Sequence, residues 1–472
     1  MTKTADYHGE PVIYWKTDAN PQRYEQIELF HRWLIKRKHT NGSGRPIVEL
    51  RLDAANNQSK LIQAVSGVGG DILDASVIEF EPLGVLARIS ESGSDNYNLK
   101  GTYPALKPML FSRDSQYAYP CNVSVKGLWC NLDMLSKNGV AGPPEEWTPE
   151  EFERIGKEYV KRANHGLSRR TYYFCSANRK EFSLPIIRSM GLDVFNESMT
   201  ACALDDARYV KVLKLIKKWT YEDNLFPSAS EVISMNTDAG YGGTSFSQFI
   251  SGKFAIIYTG RFCLIRFREL SRPINMSLSR IPQYTFQNML ISSRTATLYR
   301  GSRNKELSRL FFDFLADKDY NDYIIAKSDG LPPNPRFAIG NPAFLNHPGY
   351  ANEGNTHRRE LEWAMTIALP SPFSPYYKST GMDWQDYCMD KFMNHLCDAM
   401  TAATETCKRI NMAIMTTVET NPRLRKQYLL DMELQKRIDA KKAASEKIPV
   451  SWIRNPFHYA YYQSTGMLDM SK

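Results

Sequence analysis

Apolar residues recur along this chain with two periods, and the order in which the periods alternate predicts the elements. Val12 to Trp15 is a short β-forming run, and Asp18, Asn20 and Pro21 after it are turn and helix-start residues. Tyr24, Ile27, Phe30, His31 and Leu34 then fall at helical spacing, and Lys36 to Lys38 suit the negative end of that helix. Asn41 to Gly44 breaks it. Ile47 to Leu52 alternates as a second strand, Ser59 to Val68 reads as a second helix closed by glycines, and Asp71 to Asp74 as a third strand. This βαβαβ order predicts a parallel sheet with right-handed crossovers.

The stretch Tyr117 to Glu151 organises the middle of the chain. A strand stops at Pro120, and another, Leu128-Trp129-Cys130, runs into Asn131 and Asp133. Gly139, Gly142, Pro143 and Pro144 then rule out regular structure. Thr148, Pro149 and Glu151 form a capping box with proline in the first turn, ahead of a helix marked by Phe152, Ile155, Tyr159 and Val160. A strand that stops at proline and soon resumes suits a chain crossing between two lobes. Val210 to Trp219 and Leu307 to Leu315 are further amphipathic helices. Apolar residues at nearly every fourth position from Trp384 to Val418 predict one long helix. Leu424 to Glu446 reads as a basic helix, and Trp452 to Tyr462 as aromatic and irregular.

Composition narrows the picture. The 472 residues are too many for one ordinary domain, and 42% hydrophobic with 24% charged residues is globular. The net charge of +9 is spread along the chain, with one dense basic stretch at Arg423 to Lys447 and no nucleic-acid-reading motif beside it, so no nucleic-acid partner is expected. Eight cysteines show neither Cys-x-x-Cys nor zinc spacing, and one or two disulfides are compatible with export. Met1 to Glu10 has no apolar core and is no signal peptide. Either the numbering describes a mature form, with Thr2 to Gly9 a tether ahead of the first strand, or the protein is cytosolic; the tether favours the first. The chain carries no phosphate loop, no dinucleotide fingerprint, no serine-nucleophile elbow and no zinc-protease helix. Its histidines are isolated and its carboxylates form no evident acid–base pair, so no catalytic set, metal or cofactor is expected. Gly240 to Gly243 reads as a loop near ligand or hinge, or as a plain turn.

Four segments resemble the extracellular solute-binding proteins of ABC importers, the carbohydrate-binding family that includes maltose-binding protein. The first is the middle stretch, where Pro120, Asn131, Asp133, Pro143, Pro144 and Trp147 occupy the family's hinge positions, Trp129 stands where tyrosine is common, and Trp147-Thr148 reverses the usual order. The second is Gly67 to Ile72, with Gly70 replacing a proline, followed by Leu83 to Ser90. The third is Phe246 to Phe262, close to the family pattern until Arg261, which stands near a usual tryptophan; the fourth is Gly301 to Pro333. The resemblance implies an α/β, two-lobed periplasmic-binding-protein-like fold, each lobe a mostly parallel sheet flanked by helices, with a helical C-terminal extension. Lobe one is expected over 1–119 and 286–330, lobe two over 125–282 and 334–472, with hinge crossings at 120–124, 283–285 and 331–333. It further implies a monomer, periplasmic or otherwise extracytoplasmic with a lipid anchor as an option, that binds a carbohydrate and delivers it to a transmembrane permease. A carbohydrate-active enzyme, which would need two opposed carboxylates, and a cytosolic interaction protein are the alternatives.

Flat aromatics suit the C–H face of a sugar, and Asp, Asn and Arg its hydroxyl rim. The candidates at strand ends and in loops are Trp15, Trp129, Tyr258, Phe262, Trp363, Tyr376, Tyr377 and Trp384, each either a core or a stacking residue, with Asp18, Asp71, Asn122 and Arg261 beside them. Arg261, followed by Arg266 and Arg268, raises the expectation of an anionic ligand such as a uronate or sulfated sugar, because a guanidinium pairs with such groups bidentately.

Overall fold

The computed structural model describes residues 9–89, 97–112, 114–166, 170–175, 179–235, 242–378 and 382–471. Thr2 to His8 of the proposed tether, Ser90, and Gly240 with Tyr241 lie outside the described residues. The chain begins β1 (Val12–Thr17), α1 (Gln22–Lys36), β2 (Glu49–Ala54), α2 (Asn57–Val65), β3 (Ile72–Asp74), β4 (Leu86–Ala87) and β5 (Ala118–Val125). It continues through β6 (Gly127–Asn131), α3 (Pro149–Ala163), β7 (Tyr172–Phe174), α4 (Arg179–Ser189), α5 (Ala207–Tyr221), α6 (Gly243–Ile250), β8 (Phe254–Thr259) and β9 (Met276–Ser279). The last part holds β10 (Met289–Tyr299), α7 (Lys305–Ala316), α8 (Lys318–Lys327), α9 (Thr356–Thr366), β11 (Ala368–Pro370), α10 (Trp384–Met393), α11 (Ala399–Glu419), α12 (Pro422–Ala443) and α13 (Pro456–Ser464).

Two sheets define two lobes. In the first the order is β11-β10-β3-β1-β2, with β4 and β5 also paired to β10; the second runs β9-β6-β8-β7. β1 is parallel to β2 and β3, as the βαβαβ pattern predicts, with Trp15 between Leu52 and Ile72. β10 is antiparallel to β3, β4 and β5, and β6 is antiparallel to both β8 and β9. Each sheet is therefore mixed rather than mostly parallel. Strands that leave one lobe and return from the other reverse direction, and hydropathy alone does not register the reversal.

The apolar faces read from the sequence are the buried ones. Ile27, Phe30, Trp33 and Leu34 of α1 pack with Trp15 and with Phe311 and Phe314 of α7, a stack of rings at 4.9–5.7 Å. Each such side chain stabilises the fold by about 1.5–3 kcal/mol. In the second lobe Phe152 of α3 meets Trp147, Tyr173, Trp219 and Phe226. The capping box is present: Glu151 N–H donates to Thr148 Oγ1 at 3.2 Å and Thr148 N–H to Glu151 Oε2 at 2.8 Å.

Four further expectations change. The first crossing does not lie at 120–124, because β5 pairs with β10 through Val125 despite Pro120; the change of sheet falls at Lys126. Nor does the chain stay in lobe two after residue 334, since β11 returns to the first sheet beside β10. The long C-terminal helix is two helices. His395 adopts φ 61°, its N–H and that of Leu396 reach back to the carbonyls of Phe392 and Lys391, and Asp398 then caps α11 through Thr401 N–H at 2.8 Å. That is a Schellman stop followed by a fresh N-cap, with an unbroken apolar period running across it. Trp452 to Tyr462 is also more regular than expected. Asn455 accepts from Phe457 N–H at 3.0 Å and Pro456 opens α13, an Asn-Pro start that was readable in advance.

Candidate functional site

Open α/β sheets place ligand sites outside the carboxyl ends of their strands, where backbone groups and side chains of successive loops converge. In lobe one the carboxyl ends of β1, β2 and β3 present Lys16, Thr17, Asp53 and Asp74, and β10 adds Arg294 at a register shift beside Thr295. Lys16 pairs with Asp53, and Lys60 reaches Asp74 at 3.5 Å. Arg23 is held by Asp18 at 2.6 Å and by Asp329 at 2.5 Å, and Gln26 donates to Asp329 at 3.0 Å. Burial works against the Arg23 charge, and Asp329 and Asp18 more than restore it, so its pKa is raised. Arg294 lies over the Trp15 ring at 5.2 Å and donates from Nη1 to Thr17 Oγ1 at 3.3 Å. Its Nη2 is 3.6 Å from Asp329, and neither Nε nor Nη2 has a hydrogen-bond partner.

In lobe two the carboxyl end of β8 presents Tyr258 and Phe262. Tyr258 packs edge-on against Phe182 at 6.2 Å, its hydroxyl has no hydrogen-bond partner, and burial raises its pKa. Phe262 stacks on Phe246 at 6.3 Å. The lobes meet closely here. A Cβ on Gly260 would stand 1.9 Å from Ser124 Oγ of β5, so a larger residue there would have to displace that side chain. Lys126, at the change of sheet, pairs with Glu181 at 2.6 Å.

The structure gathers three of the sequence candidates into the lobe-one set: Trp15 beneath Arg294, Asp18 on Arg23, and Asn122, whose Nδ2 donates to the Asp329 carbonyl at 2.7 Å. Tyr258 and Phe262 are at the facing strand end. The others are elsewhere. Asp71 precedes β3, at its amino end, and accepts from Tyr14 N–H at 2.9 Å and the Ser302 hydroxyl at 2.5 Å. Trp129 is fully buried in the second sheet with its indole N–H on the Thr259 carbonyl at 3.1 Å, and Trp363 is fully buried with its own on Glu145 at 3.2 Å. Trp384 lies on α10 against Tyr387, with the Arg409 guanidinium 5.0 Å from its ring. Tyr376 is buried on Asp431, and Tyr377 packs on Phe195.

Arg261 is the largest revision. It is 1% exposed, and its Nε donates to His357 Nδ1 at 3.1 Å. Nη1 donates to the Ile324 and Gly330 carbonyls at 3.4 and 2.8 Å, and Nη2 to Ile325 at 2.8 Å. Arg268 adds a bond to the Ala326 carbonyl at 3.1 Å and chelates Glu353. Two arginines thus satisfy the carbonyls at the negative end of α8. Burial pushes Arg261 down to about 10 and His357 down to about 4, leaving the imidazole neutral; Nε2–H then donates to Glu353 at 2.6 Å. Burial works to raise Glu353, but Arg268 and His357 outweigh it and hold the carboxyl at about 2. Glu360 of α9 accepts at Oε1 from Val125 N–H at 3.1 Å and Arg261 N–H at 3.5 Å, one group at the end of a strand of each sheet. Its Oε2 is unpartnered, and burial raises its pKa to about 7.

Lys16, Thr17, Arg23, Asp53, Lys60, Asp74, Arg294 and Asp329 were not among the sequence candidates. For Asp74 a signal existed, since it closes a predicted strand of a parallel sheet, and Thr17 and Asp53 lie one or two residues beyond the predicted ends of the other two. Arg294 and Asp329 carry none, because they reach the set only through the return of β10 and the turn after α8.

No protein-family model matches the sequence. No curated protein matches it either. Solved structures do. An ABC substrate-binding protein from Listeria monocytogenes in complex with cycloalternan is similar at TM-score 0.69 and 16% identity, over 85% of this chain and 98% of that one. Maltose-bound MalE3 of T. maritima is similar at TM-score 0.68 and 16% identity, over 85% and 99%. An ABC transporter solute-binding protein from Agrobacterium vitis with bound D-mannitol is similar at TM-score 0.64 and 15% identity, over 86% and 99%. The chain therefore has the two-lobed fold of the maltose-binding-protein-like solute-binding proteins. Those structures are matched almost whole, while part of this longer chain lies outside the match.

Proposed function

We propose that the protein is a carbohydrate-binding protein that captures a sugar between its two lobes and delivers it, unchanged, to the permease of an ABC importer on the outer side of a membrane. The observation that carries this reading is the lobe-one strand-end set. Four cations, Lys16, Arg23, Lys60 and Arg294, are matched there by four carboxylates, Asp18, Asp53, Asp74 and Asp329. Such a set offers many donors and acceptors without net charge, which suits hydroxyl groups that are both. Tyr258 and Phe262 on the other lobe supply flat surface for ring faces. A neutral sugar or sugar alcohol fits this balance better than a uronate or sulfated sugar, since the donors of Arg261 are taken by the protein itself. Arg294 is the group through which an anionic ligand would still act. The four carboxylates all belong to lobe one and all are paired, an arrangement unlike two opposed catalytic carboxylates. Among the described residues no helix is long and apolar enough to cross a membrane. The protein is proposed to act as a monomer without nucleic acid, soluble or held by a lipid anchor.

A thermal-shift screen across neutral, charged and reduced sugars tests the reading, because a ligand at 100 times its dissociation constant stabilises by about 2.7 kcal/mol. The positive ligand is then recovered and analysed; turnover would replace the binding reading with the enzymatic one. Small-angle scattering with saturating ligand is expected to show a smaller radius of gyration, as closure about the crossings requires.

A further inference from the structure

We propose that Cys202 and Cys407 are an oxidation site, forming a disulfide that ties the C-terminal helix α11 to the second lobe. Their Sγ atoms are 3.1 Å apart. A disulfide spans about 2.05 Å, so closing the gap asks for a shift of about 1 Å, within reach of side-chain rotation. The surroundings already hold the two segments in register. Cys202 pairs across a β-bridge with Phe195, and its N–H donates to Asn411 Oδ1 at 2.8 Å. Asp205 N–H donates to Cys407 Sγ at 2.9 Å, and Asp205 Oδ1 accepts from Thr404 Oγ1 at 2.8 Å. Thr404, Cys407 and Asn411 lie on one face of α11, so three consecutive anchors fix the same turn against the helix.

The two thiols are chemically unequal. The hydrogen bond from Cys202, followed by the Asp205 N–H, lowers the Cys407 pKa, whereas burial raises that of Cys202. Cys202 is half-buried and Cys407 buried. With a disulfide oxidant, the Cys407 thiolate attacks one sulfur and displaces one thiol to give a mixed disulfide. The Cys202 sulfur then loses its proton, attacks the Cys407 sulfur and displaces the second thiol. Two thiols are oxidised, one external disulfide is reduced, and both protons leave with the released thiols. This chemistry is independent of what the cleft binds.

The test is a peptide map of the purified full chain after incubation with oxidised glutathione, blocked with iodoacetamide and digested without reductant. The expected result is a linked pair of peptides carrying Cys202 and Cys407, lighter by two hydrogens than its separate halves and abolished by reduction. The melting temperature should rise on oxidation in the parent and in neither Cys202→Ser nor Cys407→Ser. Recovery of both residues as alkylated free thiols would overturn the proposal, as would a Cys388–Cys397 link in their place. Because the map is read on the parent, a poorly folding variant leaves the outcome decided.

Discussion

Arg261 follows β8 and Arg294 lies within β10, and both guanidiniums are packed inside the protein, yet their donors are placed differently. Arg261 bonds to three main-chain carbonyls and a neutral histidine, so its donors face protein on every side. Arg294 makes one hydrogen bond, to Thr17, and its buried Nε and Nη2 have no hydrogen-bond partner, Nη2 lying 3.6 Å from Asp329. The first arrangement joins the lobes where the chain turns between them; Gly330, at φ +93° with its Cα hydrogen side 2.7 Å from the Val123 carbonyl for any added Cβ, belongs to the same tight crossing. The second leaves two donors unused by the protein, and on the proposed function these are the donors a sugar would take. The two buried arginines thus differ in how many of their donors the fold has already used.

The largest expected effect breaks the first half of that comparison. Arg261→Ala leaves the Ile325 and Gly330 carbonyls buried without donors and should cost about 3–5 kcal/mol in urea unfolding. Arg261→Lys should recover little, because an ammonium cannot reach the fork of carbonyls. An alanine variant of normal stability that had lost only sugar affinity would move Arg261 into the binding site.

Glu360 is the next lever. Its folded pKa of about 7 stands above the ordinary 4.5, because burial outweighs the attraction of Arg261 and the hydrogen bonds from Val125 and Arg261. Between those values the folded chain holds a proton that the unfolded chain has lost, so stability from this group is present below pH 4.5 and is lost as pH rises through about 7. Glu360→Gln, which stays neutral, should therefore be more stable than the parent at pH 8 by up to about 3 kcal/mol and comparable to it near pH 4.5. His357 contributes with the opposite sign, since its folded pKa of about 4 makes stability rise with pH up to 6.5. It is common to both proteins and cancels in their difference. A parent–variant difference that stays flat with pH would show that Glu360 does not titrate in this range.

Arg294→Ala sharpens the second half. It should weaken sugar binding by one to two decades, the equivalent of about 1.5–3 kcal/mol, while lowering stability less than Arg261→Ala does. Calorimetric titration and urea unfolding of the same preparation separate the two readouts. The smallest effect is a control far from both clusters. Thr148→Ala removes the N-cap of α3 and should cost about 1 kcal/mol without changing affinity.

Local signals were legible in the sequence wherever a residue acts through its chain neighbours. The βαβαβ start, the Thr148–Glu151 box, the apolar faces of α1 and α5 and the two-lobed fold by resemblance follow from period, capping chemistry and motif order. The stop at His395 was missed because a left-handed residue leaves the hydrophobic period unbroken on either side of it.

The site divides along the same line. Asp74 closes a predicted strand and Thr17 and Asp53 fall just past the predicted ends of two others, so their gathering could be inferred from topology. What Arg261 and Arg294 do could not. Arg261 finds its acceptors more than sixty positions later, at Ile324, Ile325 and Gly330, and Arg294 meets Thr17 at a separation of 277. Whether a buried donor is already satisfied depends on which carbonyls the folded chain brings to it, and that is settled by long-range packing rather than by the residue or its neighbours in sequence.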